Sequence, residues 1–512
     1  MAASFYDVVL LGTRLSSLVC GAVLAKRGFR VLVLGQDDLA PTYTAGDITF
    51  PRAPFSFLAG HTPIVRRTLS ELALYQLVRR RMSTRDPALQ VALPRHRFDL
   101  ATDAEALERE IEREFSEVRR PVEDFHRSVL RASDAFDRMT ERDLVWPPEG
   151  FFERREFDRA ATGLPFAARA GEAWDPLSEF PEDHAFRHVV RVPARFESGL
   201  DPSQLAGLGL TRPYALWQKG GAKLEGGYSW LRQQILDRIA TYSGEVRPRE
   251  RADRILVRRG AAVGVRIAGT HEEIGCSFVV AACEVADLLR LVPDRSPFEE
   301  IFERIGEPQP RWFRYTLNCV VRSEGIPEGM APDVFLVRDP ERARGAETLL
   351  HVETHPPDEL GRSLLCVQTL LPRRGIEDVS GFVEGARERV RAALADLVPF
   401  LEEHLLYVDS PHDGRDVEDV QRRSTFAADE PWARGKRTME AIHGYPVRGA
   451  LGVCAMPSRM PIRRLFLCNE QVVPGLGMEG SFLTAFTVAR LVTKADRKKE
   501  WMRRGLWTKI EL

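Results

Sequence analysis

The first 35 residues consist of two apolar runs separated by a stretch with helical spacing. Residues 7–11 are almost entirely apolar and end at Gly12, which predicts a buried parallel strand. Residues 15–27 place apolar side chains at helical intervals, and Gly28 follows as a stop signal. Residues 29–34 predict a second strand. This order predicts a doubly wound sheet with parallel strands.

The apolar pattern then changes several times along the chain. Residues 63–138 have helical spacing, whereas residues 140–215 look irregular and are rich in Pro, Phe and Trp. Helices are predicted at 229–242, 380–402 and 481–493, and strands at 254–257, 262–267, 277–281, 312–321, 334–338, 349–353, 364–371, 405–408 and 464–468.

These elements predict two domains, each built from separated segments. The first and last segments suit one nucleotide-binding sheet made from residues 1–62, 220–290 and 455–495. A substrate domain with a helical part and a mixed sheet is expected from 63–219 and 291–454, and 496–512 form a basic tail.

Composition removes several classes of protein. The 512 residues carry 73 Lys and Arg against 74 Asp and Glu, a net charge of −1, which argues against a nucleic-acid binder that relies on overall positive charge. The seven cysteines form no C-x-x-C pair, so we expect neither a disulfide scaffold nor a structural zinc site. This cysteine usage suits a protein of the reducing cytoplasm. We find no apolar run of the roughly 18–20 residues that a membrane span needs.

Two glycine-containing motifs, each between a strand and a helix, carry the candidate chemistry. A dinucleotide site has G-x-G-x-x-G after its first strand, and here only Gly12 matches, because Arg14 and Ser17 stand at the other two positions. Residues 469–480 (NEQVVPGLGMEG) are richer in glycine, and glycines at a helix start expose backbone N–H groups to an anion or a flavin edge.

Together with residues 225–228 (EGGY) and 244–246 (GEV), these motifs resemble the two-domain flavoprotein superfamily. It includes phytoene desaturases, amine oxidases and protoporphyrinogen oxidases, and also the Rab GDP-dissociation inhibitors and escort proteins, which keep the fold without redox activity. The PGLGMEG segment is most similar to the phytoene desaturase-like branch. The implied fold class is α/β: a Rossmann-like FAD-binding domain, with a parallel sheet discontinuous in sequence, and an inserted helical and β-rich substrate domain.

The resemblance implies FAD as cofactor and assigns its contacts residue by residue. The acidic residue on the ribityl chain is expected at Glu470, and the adenine contact is expected at the backbone of Ala252. The implied cofactor residues are Gly12, Arg14, Ser17, Gln36, Ala252, Glu470, Gly475, Gly477, Met478, Gly480 and Ser481. No catalytic residue and no metal ligand is predicted.

Two family features are missing. Gly35 and Gln36 stand where the family has the Glu that binds the adenosine ribose, and residues 45–47 (AGD) replace the Gly-Gly-Arg turn at the pyrophosphate. Each lost charge-assisted bond costs roughly 1–3 kcal/mol, so losing two or three moves a nanomolar site toward micromolar affinity. Arg14 either obstructs the groove or replaces the missing arginine by pairing with a phosphate.

Two functions remain open from the sequence. One is an FAD-dependent oxidoreductase that takes a hydride from an apolar, isoprenoid or lipid substrate. The other is an inactive flavoprotein-fold protein that has lost FAD and binds a lipid or a protein partner. The glycine-rich loop favours the enzyme, because without a flavin it has no evident reason to keep three glycines, and Gly477→Trp is expected to abolish flavin binding without unfolding the protein.

Two further segments have alternative interpretations. His351, Glu353 and His355 share one face of a predicted strand and suit either a metal or, as we favour, a polar sheet face. Residues 494–512 interleave Lys and Arg with Trp, which predicts either peripheral contact with an anionic membrane or a terminal helix packed on the body. The expected location is cytoplasmic, with membrane contact through this tail as the open alternative.

Overall fold

Two large β-sheets covered by helices form most of the fold, together with two small two-stranded sheets. The computed structural model describes residues 5–165, 175–341, 348–447 and 449–496. In chain order the strands are β1 Phe5–Leu11, β2 Val31–Leu34, β3 Thr42–Ala45, β4 Ile48–Pro51, β5 Met82–Ser83, β6 Leu89–Ala92, β7 Arg97–Leu100, β8 Lys223–Leu224, β9 Glu245–Arg247, β10 Ala252–Arg258, β11 Ala261–Ile267, β12 Glu273–Ala281, β13 Gln309–Arg322, β14 Asp333–Val337, β15 Leu349–Thr354, β16 Arg362–Pro372, β17 Leu405–Asp409, β18 Val417–Asp419, β19 Ser424–Phe426, β20 Glu440–Gly444 and β21 Leu465–Leu467.

The helices pack against the two large sheets. Within the described ranges they are α1 Leu15–Lys26, α2 Pro63–Glu71, α3 Tyr75–Arg80, α4 Ala104–Phe115, α5 Arg119–Thr140, α6 Phe151–Ala161, α7 Ala185–Glu197, α8 Gly207–Gln218, α9 Gly227–Thr241, α10 Val285–Leu291, α11 Ser296–Ile305, α12 Arg373–Asp378, α13 Ala386–Ala395, α14 Leu401–His404 and α15 Gly477–Ala495.

The first sheet has β1 at its centre. β1 pairs in parallel with β12 and with β2, β2 pairs in parallel with β9, and β12 pairs in parallel with β21. β10 and β11 extend it as antiparallel strands. Helix α1 is buried along almost its whole length and packs against α9 and α15. This confirms the expected Rossmann-like α/β sheet assembled from distant segments, while the exact domain boundaries stay predictions.

The second sheet is mixed and follows the order β19-β18-β17-β13-β16-β15-β14-β6-β7, with β20 also paired to β13. The strands expected at 312–321, 334–338, 349–353, 364–371 and 405–408 are all confirmed as β13 to β17. The helical prediction for residues 63–138 is wrong at 82–100, where β6 and β7 form a hairpin that joins this sheet through β14.

Two other predictions need correction. Residues 140–215 are not irregular, because they contain α6, α7 and α8. Residues 380–402 are not one helix: α13 ends at Ala395, and α14 starts at Leu401 after Pro399 and a left-handed Phe400 with φ 60°. Proline has no N–H to donate and disfavours helix in the residue before it, so the break is expected from Pro399.

The seven cysteines are buried and form no disulfide, as the sequence predicts. Burial in the apolar core raises the pKa of the Cys283 thiol to about 12, and the same holds for Cys276 and Cys319. Thiols with such pKa values stay protonated and act as small apolar side chains.

Candidate functional site

A cleft of about 1680 Å³ opens between the two sheets at the carboxyl ends of β1 and β2. Ligands bind at this edge in open sheets of parallel strands, because the strand order reverses there and leaves a crevice. Four of the predicted cofactor residues line the cleft: Arg14, Gln36, Ala252 and Glu470. The volume exceeds the roughly 300–1000 Å³ of most small-molecule sites, so the cleft is large enough for an extended ligand.

The turn from β1 into α1 keeps the geometry of a dinucleotide site but carries an acidic side chain. Gly12 has φ 116°, a conformation that other residues rarely adopt. The backbone N–H of Thr13, next in the chain, donates to the carboxylate of Asp38. Burial raises the pKa of Asp38, while Arg14 and this N–H act in the opposite direction. A carboxylate therefore occupies a donor at the turn that the resemblance assigns to the pyrophosphate.

Arg14 adopts a position that neither sequence alternative described. Its guanidinium pairs with Glu470 at 3.0 Å and with Glu284 at 3.5 Å. Burial acts against the charge, but these carboxylates raise the pKa of Arg14 above its ordinary value. Arg14 thus joins the start of α1 to the β21–α15 connection, and Glu470, expected on the ribityl chain, is its main partner.

Gln36 and Ala252, expected on the ribose and the adenine, bind each other. The Gln36 Nε2 donates to the Ala252 carbonyl at 2.9 Å, and the Ala252 N–H donates to the Gln36 Oε1 at 3.0 Å. Gly35, just before them, lies against the loop after β9: a Cβ there would be 1.8 Å from the Pro248 carbonyl oxygen. No side chain fits at Gly35, so the ribose-binding Glu of the family cannot be restored at that position.

Ser17, at the third glycine position of the motif, is a packing residue. Its side chain is fully buried, and its hydroxyl donates to the Gly12 carbonyl at 2.7 Å. The neighbouring Ser16 hydroxyl donates to the Cys468 carbonyl at 2.8 Å, which ties α1 to the end of β21. The hydroxyls satisfy carbonyls inside the packed interface, so the close approach of helix and strand does not require glycine here.

The three glycines of the C-terminal loop are required by the protein's own packing. A Cβ at Gly475 would lie 2.7 Å from Val453 Cα, one at Gly477 would lie 2.3 Å from the Glu197 carbonyl oxygen, and one at Gly480 would lie 2.2 Å from the Val473 carbonyl oxygen. Gly477 also has φ 51°. The loop therefore has a reason to keep its glycines without a flavin, and the expectation that Gly477→Trp leaves the fold intact is wrong.

Met478 and Ser481 line a smaller inner cavity of about 240 Å³ next to the cleft. Gly477, Arg14 and Glu470 also line it. Its remaining polar wall includes His351, which the sequence analysis places on a polar sheet face. Other polar residues of this wall were not predicted from the sequence: Glu197, Tyr228, Arg314, Gln368 and His443. Gly12, Ser17, Gly475 and Gly480 line neither of these two spaces.

Glu197 is the most perturbed acid of the inner cavity. It ends α7, in the segment that the sequence pattern left irregular. Burial raises the pKa of Glu197 to about 7, against the effect of the nearby Arg314 guanidinium. Arg314 itself is held elsewhere, donating to Gln368 Oε1 at 3.1 Å and to the Ser198 carbonyl at 3.0 Å. A carboxyl that titrates near neutral pH suits proton transfer.

We expect this carboxyl to make stability depend on pH. Between the ordinary value of 4.5 and about 7, the folded protein holds a proton on Glu197 that the unfolded chain has released. Stability therefore decreases as pH rises through this window, by roughly 1–3 kcal/mol. Urea midpoints of the wild type and of Glu197→Gln, compared at about pH 5 and pH 8, measure it. Parallel changes in the two proteins would contradict the shifted pKa.

The side chains of His351 and Glu353 on β15 are bonded to other parts of the protein. Burial lowers the pKa of His351 to about 3, and its Nε2 lies 3.1 Å from Asp333 Oδ1. Glu353 accepts from the Phe55 N–H at 2.8 Å and pairs with Arg85 at 3.4 Å. Among the described residues no group of three or more potential ligands is placed to hold a metal ion. The polar sheet face, which the sequence favoured, is what this strand presents.

The chain is similar to solved structures, whereas the sequence comparisons give no match. No protein-family model matches the chain, and no curated protein matches it. An oxidoreductase from Methanosarcina mazei superposes with a TM-score of 0.56 and 14% identity, covering 94% of this chain and 100% of its own. A putrescine oxidase double mutant gives 0.57 and 13%, with 96% and 99% covered. Cyclohexylamine oxidase from Brevibacterium oxydans gives 0.56 and 14%, again with 96% and 99% covered.

The chain therefore has the fold of the two-domain FAD-dependent oxidoreductases, as the resemblance implied. The match extends over almost the whole length of both this chain and its structural relatives. Within the ranges described above, no helix is long and apolar enough to cross a membrane.

Proposed function

We propose that the protein is an FAD-dependent oxidoreductase that holds its cofactor weakly. The observation that carries this proposal is the cleft along the carboxyl edge of the parallel sheet. It reaches from Ala252 to Glu470 and shares Tyr228 and Glu284 with the inner cavity. An extended dinucleotide fits such a crevice, with one end beside the smaller cavity where a substrate would lie. The likeness to solved oxidoreductases supports the same function.

The backbone along this path suits FAD. The turn at Gly12 and the first residues of α1 would face the pyrophosphate, since a helix start favours an anion. The Ala252 N–H and carbonyl lie in the cleft wall and would face the adenine. Glu470 and the turn at Gly477 would flank the other end of the cofactor. When bound, FAD supplies a hydride acceptor, so the protein needs only to bind and orient the substrate and to handle a proton.

The side chains along the same path suit FAD less well. The Thr13 N–H is bonded to Asp38, and Arg14 is paired with Glu470 and Glu284. The pyrophosphate would meet three carboxylates unless Arg14 turned toward it. Since each charge-assisted bond that is lost or replaced costs roughly 1–3 kcal/mol, affinity in the micromolar range is the expected result.

The inner cavity bears on the class of substrate. Its wall carries Glu197, Arg314 and Gln368, which suits a polar substrate better than the isoprenoid or lipid that the resemblance suggested. Among the described residues the Glu197 carboxylate has no hydrogen-bond partner, whereas Arg314 is fully engaged. We therefore favour a substrate with a basic nitrogen, which would pair with Glu197. Two of the structural relatives are named as oxidases of amines.

A second candidate is a binding protein on the same fold that has lost FAD. The specific observation in its favour is that groups assigned to FAD are bonded to one another: Gln36 with Ala252, and Arg14 with Glu470. The Thr13 N–H at the adjoining turn is likewise bonded to Asp38. The glycines of the loop do not argue against it, because packing accounts for them.

An absorption spectrum of the purified protein, taken before and after addition of excess FAD, separates the two candidates. We expect little flavin to co-purify, and we expect a shift of the flavin absorption band that saturates as FAD is titrated to tens of micromolar, about ten times the expected Kd. FMN at the same concentration serves as the comparison ligand. A protein that shows no spectral shift at any FAD concentration would exclude the oxidoreductase and leave the binding protein.

Membrane contact remains a separate proposal. Of the basic and aromatic segment, Lys494 lies in the last turn of α15, which ends at Ala495, and residues 497–512 lie outside the described part of the chain. The proposal therefore rests on the composition of that segment, in which Lys and Arg alternate with Trp.

A further inference from the structure

The side-chain amide of Gln36 forms a closed pair with the backbone of Ala252. Both backbone polar groups of Ala252 are bonded to this amide: the Ala252 N–H donates to Oε1 at 3.0 Å, and the Ala252 carbonyl accepts from Nε2 at 2.9 Å. The amide orientation follows from the bonds themselves, because an N–H requires an acceptor and a carbonyl requires a donor.

An amide presents the same pattern as one edge of adenine. The Watson–Crick edge of adenine has a ring-nitrogen acceptor beside the exocyclic N6 amino donor, in one plane, and proteins read it by hydrogen bonds. The Gln36 amide has an oxygen acceptor beside an NH₂ donor, also in one plane. Ala252 is the residue whose backbone the resemblance assigns to adenine, so amide and base would use the same two groups.

The backbone around Gln36 holds the amide in this place. Gln36 has φ 54°, a left-handed conformation that costs a residue other than glycine roughly 1–2 kcal/mol. Its N–H donates to the Glu250 carbonyl at 3.2 Å, and Gly35 before it is packed against Pro248. Strand β2 thus ends against the β9–β10 connection, which directs a side chain of this length to Ala252.

We propose that Gln36 determines which cofactor the cleft accepts, by competing with adenine for the Ala252 backbone. The inference rests on the proposed function and concerns the same cleft. An adenine-containing ligand binds only after the amide has left, so it loses affinity relative to a flavin without adenine. Gln36 is a specificity-determining residue that sets the ratio of FAD to FMN affinity.

The test compares Gln36→Ala with the wild type in the full chain. Alanine removes the amide, and the left-handed backbone conformation costs alanine about as much free energy as it costs glutamine. Circular dichroism checks that the variant is folded. The two competing bonds are each weak in net terms, so we expect a roughly tenfold lower Kd for FAD and an unchanged Kd for FMN, measured by quenching of flavin fluorescence. Gln233→Ala, which removes an exposed amide on α9, is the matched control and should change neither value.

A second variant keeps the size of the side chain. Gln36→Glu retains an acceptor for the Ala252 N–H but cannot donate to the Ala252 carbonyl when ionised. Its affinity for FAD should therefore lie between that of the wild type and that of Gln36→Ala. If the wild type binds FAD and Gln36→Ala binds it equally or more weakly, the inference fails while the proposed function stands. If neither protein binds FAD, both fail. If only Gln36→Ala binds FAD, the inference holds and the native chain is not an FAD enzyme.

Discussion

Replacing Arg212 by methionine is expected to lower the free energy of unfolding by about 3–5 kcal/mol. Arg212 lies on α8 with only 1% of its side chain exposed. Its Nε and Nη2 donate to the two carboxylate oxygens of Glu479 on α15 at 2.8 and 2.7 Å, and its Nη1 donates to the Ser133 hydroxyl. Methionine fills most of the space but leaves the Glu479 carboxylate buried without a counter-charge, which is the costly result.

The double variant Arg212→Met/Glu479→Leu isolates that cost. With both charges gone, no buried carboxylate is left unpaired, so most of the lost stability should return. Arg373→Met is the matched control: Arg373 also pairs with a glutamate, at 2.7 Å, but its side chain is 41% exposed, and we expect a change under about 0.5 kcal/mol. Urea unfolding of the four proteins measures the differences. A single variant no less stable than the control would contradict the assigned role.

This ion pair changes the meaning of a motif that the sequence links to flavin. Glu479 belongs to the PGLGMEG segment, and in the structure it binds Arg212 and contacts neither the cleft nor the inner cavity. Arg212 is a single charge in an otherwise apolar helix, which is a signal that a buried partner exists. The sequence could not identify that partner, because 267 positions separate the two residues.

The N-terminal fold was predictable because its pattern is local. The apolar run before Gly12, the helix after it and the second strand all lie within 35 residues, and the structure has them as β1, α1 and β2. Their hydrophobic spacing alone defines a strand–helix–strand unit. The hairpin at Leu89–Leu100 was missed because two four-residue strands give too few positions to distinguish alternation from helical spacing.

The resemblance named several residues that border the cleft, but it did not indicate what those residues bind. Four of the residues carried over from the resemblance line the cleft, because strand ends and helix starts fix their positions: Arg14, Gln36, Ala252 and Glu470. What they bind was not predictable: Gln36 meets Ala252 across 216 positions, and Arg14 meets Glu470 across 456. Glu197 gave no sequence signal, because its raised pKa arises from burial by segments far apart in the chain.

Gly480→Ala is expected to destabilise the protein by about 3 kcal/mol, with or without FAD. By helix propensity alone the change would stabilise α15 by roughly 1 kcal/mol, since alanine is the best helix former and glycine a poor one. The new Cβ, however, would lie 2.2 Å from the Val473 carbonyl oxygen, and a backbone atom cannot move aside as a flexible side chain can. The steric cost therefore decides the sign.

The control for this variant is Gly163→Ala, where the nearest atom to the new Cβ, the Ala160 carbonyl oxygen, is at an ordinary 3.5 Å. That variant should stay within about 0.5 kcal/mol of the wild type. Measuring unfolding without flavin, and flavin binding separately, distinguishes two reasons for the glycine. If packing requires it, Gly480→Ala unfolds more easily before any flavin is added. If contact with a flavin requires it, stability is unchanged and only binding is lost, and the loop would again support an enzyme over a flavin-free binding protein.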